Sequence, residues 1–249
     1  MPAPKKSRRK LFDPTSDKPY ELSRSKLDLL MRCPRCFYLD RRLGIKRPSG
    51  APYTLNNVVD TLLKKEFDIH RVDGSRHPLF DQYGIDAVPF EHEELDTWRD
   101  NFKGVRHLHP GTNLILTGAV DDLWVRPVAK KLVVVDYKAT GKEATVTALD
   151  DSPWHDGYRR QMEIYQWLLR RNGFDVDDTG YFVYCTGKAD RSAFDGKIEF
   201  DIAVIPYVGD DKWVEPLVRK AKRILMADAP PASAKACEYC SYVSQASGV

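Results

Sequence analysis

Residues 118–138 read Gly118-Ala-Val-Asp-Asp-Leu-Trp-Val-Arg-Pro-Val-Ala-Lys-Lys-Leu-Val-Val-Val-Asp-Tyr-Lys138. Two apolar runs flank a short turn at 127–130. The first, which begins upstream at 114 and runs to 125, reads as one strand. The second, 132–137, is almost wholly apolar, the pattern of a strand buried on both faces and central in a sheet. With so short a turn between them, the two are expected to pair as a hairpin. Asp121 and Asp122 close an apolar run, and Asp136 follows four apolar residues, so it belongs at the end of a buried strand. Lys138, two residues on, shares the strand face of Asp136. A buried carboxylate and ammonium are costly unless paired with each other or bound to a metal. The structural alternative for an isolated Asp-x-Lys is an ion pair at a strand end.

Outward from this centre the pattern stays mixed. Downstream, 140–153 reads as a loop and 158–171 as an amphipathic helix ended by Asn172-Gly173, with Gln161 and Tyr165 four apart on one face. Strands follow at 180–185 and 197–206, then a helix at 211–226 with Pro216 in its first turns, and a linker at 229–234. Upstream, Ser23 or Ser25 is placed to cap a short helix carrying Leu27, Leu29 and Leu30. A loop spans 44–52. A longer helix, about 55–71, sets Leu55, Val58, Val59, Leu62, Leu63 and Phe67 on one stripe. Residues 73–112 read as irregular, with short strands at best and a turn of helix near 93–102.

The 249 residues are enough for one sizeable core, with or without a small module. No apolar run approaches the roughly 20 residues that span a bilayer, and the basic N-terminus lacks a signal peptide's apolar stretch. The expectation is a cytoplasmic protein without a membrane partner. The formal net charge is +3. Lys5, Lys6, Arg8, Arg9 and Lys10 supply five positive charges, which leaves the rest of the chain at −2. Residues 1–20 read as a disordered basic arm. A second basic zone holds Arg24, Lys26, Arg32, Arg35, Arg41, Arg42, Lys46 and Arg47 against Asp28 and Asp40. Such clusters suit a polyanion, although a solvated face has the same composition.

Of five cysteines, four form the pairs Cys33-Pro-Arg-Cys36 and Cys237-Glu-Tyr-Cys240. In a cytoplasmic chain such pairs point to metal before disulfide. Cys185 follows an apolar strand and reads as a core residue. His155 is the only histidine near the Asp136 motif, and a histidine so placed is ordinarily on the surface.

Gly118-x-x-Asp121, then Val134-Val-Asp-Tyr-Lys138, then Gln161-Met-Glu-Ile-Tyr165, in that order, resemble the RecB-like branch of the PD-(D/E)XK nuclease superfamily. That branch carries GxxD on one strand, DYK on the next and QxxxY on the following helix. The resemblance covers roughly residues 22–242. It implies an α/β fold with a restriction-endonuclease-like core, in which helices flank a mixed central sheet. It makes Asp121 and Asp136 ligands of Mg²⁺ or Mn²⁺, with the carbonyl of Tyr137 a further ligand. Lys138 becomes the catalytic lysine, and Gln161 and Tyr165 position the nucleic acid or support the centre. Asp122 is the fallback if the register slips by one. Where the branch often has a histidine ligand on an early helix, this chain has Asp60, which can also bind Mg²⁺. Glu66 is the next candidate on that helix.

Cys33-Pro-Arg-Cys36-Phe-Tyr also resembles this branch. Its iron–sulfur members, AddB-type and CRISPR-adaptation nucleases, join one N-terminal cysteine to three C-terminal ones around a [4Fe–4S] cluster. Here the division is two and two. A [4Fe–4S] cluster on Cys33, Cys36, Cys237 and Cys240 is the first expectation, and a Cys₄ zinc site fits the same spacing. Either would join the termini: a nuclease domain at 21–228, then a linker and C-terminal cysteine segment at 229–249 packing with Cys33 and Cys36. The implied activity is metal-dependent hydrolysis of DNA, exonucleolytic or single-strand-preferring. The alternative is a nucleic-acid-binding protein with a degenerate centre. A third reading makes the cysteine pairs the working part of a redox or metal sensor. No Walker motif occurs, so a helicase or a recombination or CRISPR partner would be a separate chain.

Overall fold

In the computed structural model, which describes residues 11–50 and 54–247, the elements follow in this order: β1 (Tyr20–Ser23), α1 (Arg24–Arg32), α2 (Pro34–Arg42), α3 (Thr54–Asp73), α4 (Pro78–Gln82), β2 (Val88–Pro89), α5 (Leu95–Arg99), β3 (Val105–His109), β4 (Leu114–Gly118), β5 (Asp122–Val125), β6 (Leu132–Thr140), α6 (Pro153–Arg171), β7 (Thr179–Gly187), β8 (Phe200–Val208), a 3₁₀ turn (Asp211–Trp213), α7 (Val214–Leu225) and α8 (Glu238–Ala246). Among the described residues two sheets form, one of order β1-β4-β3 and one of order β2-β5-β6-β7-β8. The fold is mixed α/β with helix-flanked sheets, as expected. The chain divides into two compact units, one of residues 1–50, 108–116 and 215–249, the other of 51–107 and 117–214.

The larger unit is built on the five-stranded sheet. β5 and β6 make the expected antiparallel hairpin, with Asp122 opposite Val135 and Val125 opposite Leu132. β6 and β7 run parallel, which requires a crossover connection, and α6 supplies it. β8 pairs antiparallel with β7. Along β6 the side chains alternate. Val133, Val135 and Tyr137 join Leu63, Phe67, Trp124 and Val183 in one core. Asp136 lies on the other face, where Gln161 of α6 reaches it. The sheet thus lies between α3 and α6.

In the smaller unit, Leu22, Leu27, Leu30 and Phe37 are fully buried. The first ten residues of the expected arm lie outside the described residues. Residues 11–20 are mostly exposed but anchored at both ends: Phe12 is buried, stands edge-on to Tyr20 at 5.2 Å, and its backbone N–H donates to the Arg41 carbonyl.

Four expectations need correction. The strand read over 114–125 is two strands, β4 and β5, in different sheets. The break falls at 119–121, where the Val120 N–H donates to the Trp98 carbonyl instead of a strand neighbour. α6 begins five residues before 158, because Ser152 caps it, its Oγ accepting from the His155 N–H, and Pro153 opens its first turn. His155 is consequently in the helix and buried, its Nδ1 2.6 Å from Asp150. On α3, the stripe splits: Leu63 and Phe67 are buried and Val59 packs beside them, while Leu55, Val58 and Leu62 are exposed. A helix against one sheet face covers only part of its circumference, and here the i, i+4 row 59-63-67 is the covered part.

Candidate active centre and cysteine site

The break between β4 and β5 decides what Asp121 can do. Inside a continuous strand its carboxylate would be aimed at one face of a sheet. In the break, Asp121 is partly exposed, and its Oδ2 accepts from the Tyr137 N–H at 2.9 Å. That bond ties it to the residue after Asp136. Asp136 is fully buried. Its Oδ2 pairs with the Lys138 ammonium, and its Oδ1 accepts from Gln161 Nε2 at 2.6 Å. Gln161 also donates to the Tyr165 hydroxyl at 3.1 Å. Lys138 Nζ stands 3.5 Å from the Tyr137 carbonyl and 4.5 Å from the centre of the Tyr158 ring. Asp121, Asp136, Tyr137, Lys138, Gln161 and Tyr165 are therefore one bonded cluster, drawn from the strand break, β6 and α6.

Asp60, on α3, faces the same cluster. Lys64 Nζ bridges it, 2.9 Å from Asp60 and 3.9 Å from Asp121. Burial, and then the neighbouring Asp121 charge, raise the Asp60 pKa above the usual carboxylate value. Two carboxylates facing each other around one ammonium is the charge balance a cation site leaves when a lysine offsets part of it. A cleft of about 550 Å³ opens beside Asp60, lined also by Lys64, Lys65, Asp68, Arg99 and Phe102. Glu66 points elsewhere and bonds His77 at 3.1 Å.

Asp122, the fallback, has no oxygen to spare. Its Oδ1 accepts from Arg71 and Arg99, each at 2.6 Å, and from the Leu123 N–H, while its Oδ2 accepts from the Tyr137 hydroxyl at 2.8 Å. Asp68 pairs with both arginines in turn. This network holds Tyr137 by its side chain while Asp121 holds it by its backbone. Burial, and then Asp122, push the Tyr137 hydroxyl well above its ordinary pKa, so it stays a donor. Reading the sequence alone missed Arg71 and Arg99, because nothing local to them marks a partner 51 or 23 residues away.

Gly118 has an equally specific reason. A Cβ there would lie 2.7 Å from the Tyr165 ring and 3.0 Å from Leu168. The glycine of the first motif and the tyrosine of the third meet in space, and α6 can approach the strand end only because residue 118 has no side chain.

The cysteines form a different kind of site. Both pairs open helices: Cys33 is the N-cap of α2 and Cys237 the N-cap of α8. The Sγ atom of Cys36 lies 3.5 Å from that of Cys240 and 3.6 Å from that of Cys237, and Cys33 Sγ lies 3.8 Å from Cys240 Sγ. All four fall within 4.8 Å of one another. Helix N-termini favour thiolate. Burial opposes ionisation at Cys33, yet N–H donors from Ala234 and Cys36 outweigh it and bring its pKa to about 6. Arg47 donates to Cys237 Sγ at 3.3 Å and stacks over Tyr239. Cys185 stays apart in the sheet core, where burial raises its thiol to about 11. Among the described residues, only the four cysteines bring three or more side-chain ligand atoms this close together. The carboxylate centre is the more open of the two.

The model of the PD-(D/E)XK nuclease superfamily matches residues 56–245. This chain belongs to that superfamily. No curated protein matches it. The superfamily's general reliance on divalent metals agrees with the oxygen-rich donor set around Asp121 and Asp136, and the matched span contains every member of that cluster. No described helix is long and apolar enough to cross a membrane.

Proposed function

We propose that the chain is a Mg²⁺- or Mn²⁺-dependent deoxyribonuclease with Asp121, Asp136 and the Tyr137 carbonyl as metal ligands, and that it acts on DNA ends or single strands. The observation that carries this reading is the bonded run Asp121–Tyr137–Asp136–Lys138 at an open strand break. Hard cations take oxygen ligands, and this is where carboxylate and carbonyl oxygens converge with an ammonium. When bound, the cation supplies an activated water and charge neutralisation at phosphorus. Lys138 is placed to orient that water or to stabilise charge on the phosphate. Gln161 holds Asp136 in one orientation, and Tyr165 holds Gln161. Asp60 adds a third carboxylate where related nucleases carry histidine, giving an all-oxygen donor set. Unwinding, recombination or CRISPR machinery is the class of partner that this reading assigns to it. The test is cleavage of labelled single- and double-stranded DNA with defined ends, with and without Mn²⁺, by the full chain and by Asp136→Asn. Metal-dependent cleavage lost in the variant supports the reading. Binding without cleavage would leave a nucleic-acid-binding protein.

For the cysteine site we propose a single structural zinc ion. A tetrahedron with Zn–S bonds of about 2.3 Å has edges of about 3.8 Å, and the closest sulfur separations here are 3.5, 3.6 and 3.8 Å. A [4Fe–4S] cluster on the same four thiolates, which spread to within 4.8 Å of one another, is the second reading. Elemental analysis of protein purified with and without oxygen decides between one zinc and iron with acid-labile sulfide.

A further inference from the structure

The first turn of α6 carries a feature that the nuclease reading leaves unused. Trp154 is 57% exposed, whereas Trp98, Trp124 and Trp167 are buried, and Trp213 spends its indole N–H on Glu163. Isolated exposed aromatics are common on protein surfaces and need no special role. This one differs in two ways. Its orientation is fixed: the indole N–H donates to the Tyr158 hydroxyl one turn along, the rings stand edge to face with centroids 6.0 Å apart, and Ser152 and Pro153 fix the start of the helix beneath them. Its place is also specific, because the Tyr158 ring is the one under the Lys138 ammonium at 4.5 Å. Indole and catalytic-site ammonium are thus separated by no more than two ring contacts laid end to end.

With its N–H engaged by the Tyr158 hydroxyl, the indole offers solvent chiefly a flat apolar face. The flat apolar surface that accompanies a phosphodiester is a nucleobase. In a duplex interior both faces of each base are already stacked, so a fixed side-chain platform reaches only a base that is unpaired or extruded. We infer that Trp154, held by Tyr158, is a stacking platform for an unpaired base close to the phosphate presented to Lys138, and that it gives the site its preference for single-stranded DNA. The inference rests on the nuclease reading and adds to it the class of strand that enters.

The test uses the full chain carrying Asp136→Asn, so that the probe is not cut, and oligothymidylate with or without a central abasic site. Tryptophan emission should be quenched on binding, and Trp154→Phe should remove the quenching while keeping affinity within about twofold, because phenylalanine still stacks. Trp154→Ala should weaken binding of oligothymidylate about tenfold without altering the salt slope, since no charge is lost. The abasic probe should lose affinity toward the unsubstituted chain and show a smaller difference between it and Trp154→Ala. Equal affinity of Trp154→Ala and its parent for oligothymidylate would overturn the platform while leaving the nuclease reading standing, as would an equal loss on both probes. Failure of the folded parent to bind any oligonucleotide would overturn both.

Discussion

The carboxylate centre and the cysteine site are both places where a metal is expected, and they are built in opposite ways. The cysteines meet as a closed set: four sulfurs within 4.8 Å, two helix N-termini behind them, Arg47 alongside. The acids meet as an open set. Asp136 is locked on both oxygens by Lys138 and Gln161, but Asp121 sits in a strand break with a single short bond, and Asp60 faces it across Lys64. A closed sulfur site has no position left for a substrate, so it contributes structure. An open oxygen site leaves positions for water and phosphate, so it can contribute chemistry. The difference lies in which groups are already satisfied.

The sharpest way to break the comparison is at Asp136. Asp136→Asn should reduce cleavage by orders of magnitude, because a lost ligand weakens transition-state stabilisation by several kcal/mol, while circular dichroism and melting temperature stay close to the parent. Wild-type rates in purified Asp136→Asn would remove the centre proposed here. The cysteine site should behave in reverse. Cys237→Ser should release the metal and cost about 5 kcal/mol of stability, a fraction of what structural zinc contributes to small domains, with soluble yield falling in step. Cys185→Ser should leave metal content unchanged, and native-state alkylation should leave the buried Cys185 thiol unmodified.

Two adjacent residues sharpen the contrast further. Asp121→Asn should suppress cleavage and spare the fold. Asp122→Ala should strand Arg71 and Arg99 without their shared partner and cost about 3–5 kcal/mol in denaturant unfolding, the usual penalty for breaking a buried ion pair. If the two variants exchanged phenotypes, the assignment of open and satisfied carboxylates would be inverted.

Much of this was legible in the residues. The hairpin into β6, the strand at β7, the helix that carries Gln161 and Tyr165 and the metal-type spacing of the two cysteine pairs follow from period, turn chemistry and spacing, whereas the weight of the α6 motif came from the family resemblance and the parallel pairing of β6 with β7 was not read. What escaped was non-local. Nothing in 114–125 announces that Gly118 and Asp122 belong to different sheets, because the break is set by the Trp98 carbonyl and by the crowding of Tyr165. Nothing in α3 says which half of its apolar stripe meets the sheet. Asp121 and Asp122 are ranked in the sequence only by the Gly118-x-x-Asp121 resemblance, and the physical difference between them, two arginines distant in sequence, is visible only in the fold. The helix that carries Cys240 was also missed, since a nine-residue segment of low periodicity gives little signal.

The remaining expected effects are smaller. Removing residues 1–10 takes away five positive charges. If they touch phosphate, log–log salt plots should flatten by roughly 0.7–0.9 for each phosphate that is no longer neutralised, with cleavage at saturating DNA unchanged. Smallest is the effect at Asp150, before α6. Hydrogen bonds from Ser152, with His155 adding, hold its pKa at about 2 against an ordinary 3.8. A carboxyl depressed on folding stabilises the native state above its unfolded pKa and loses that contribution as pH falls through its folded one. Asp150→Asn should therefore flatten acid unfolding between about 4 and 2, and carboxyl NMR titration should place Asp150 near the lower figure.

The contact between Gly118 and Tyr165 carries a consequence for libraries and for design. The two positions lie far apart in the chain, yet they act as a single volume shared between a strand end and a helix. A side chain added at 118 has to be accommodated chiefly at 165, with Leu168 giving way beside it. Gly118→Ala alone should be rejected in a selection for soluble protein, while the same change paired with a smaller residue at 165 should pass it and still lack the hydroxyl that holds Gln161. A screen read one position at a time would score both residues as intolerant and miss that they are two halves of the same fit.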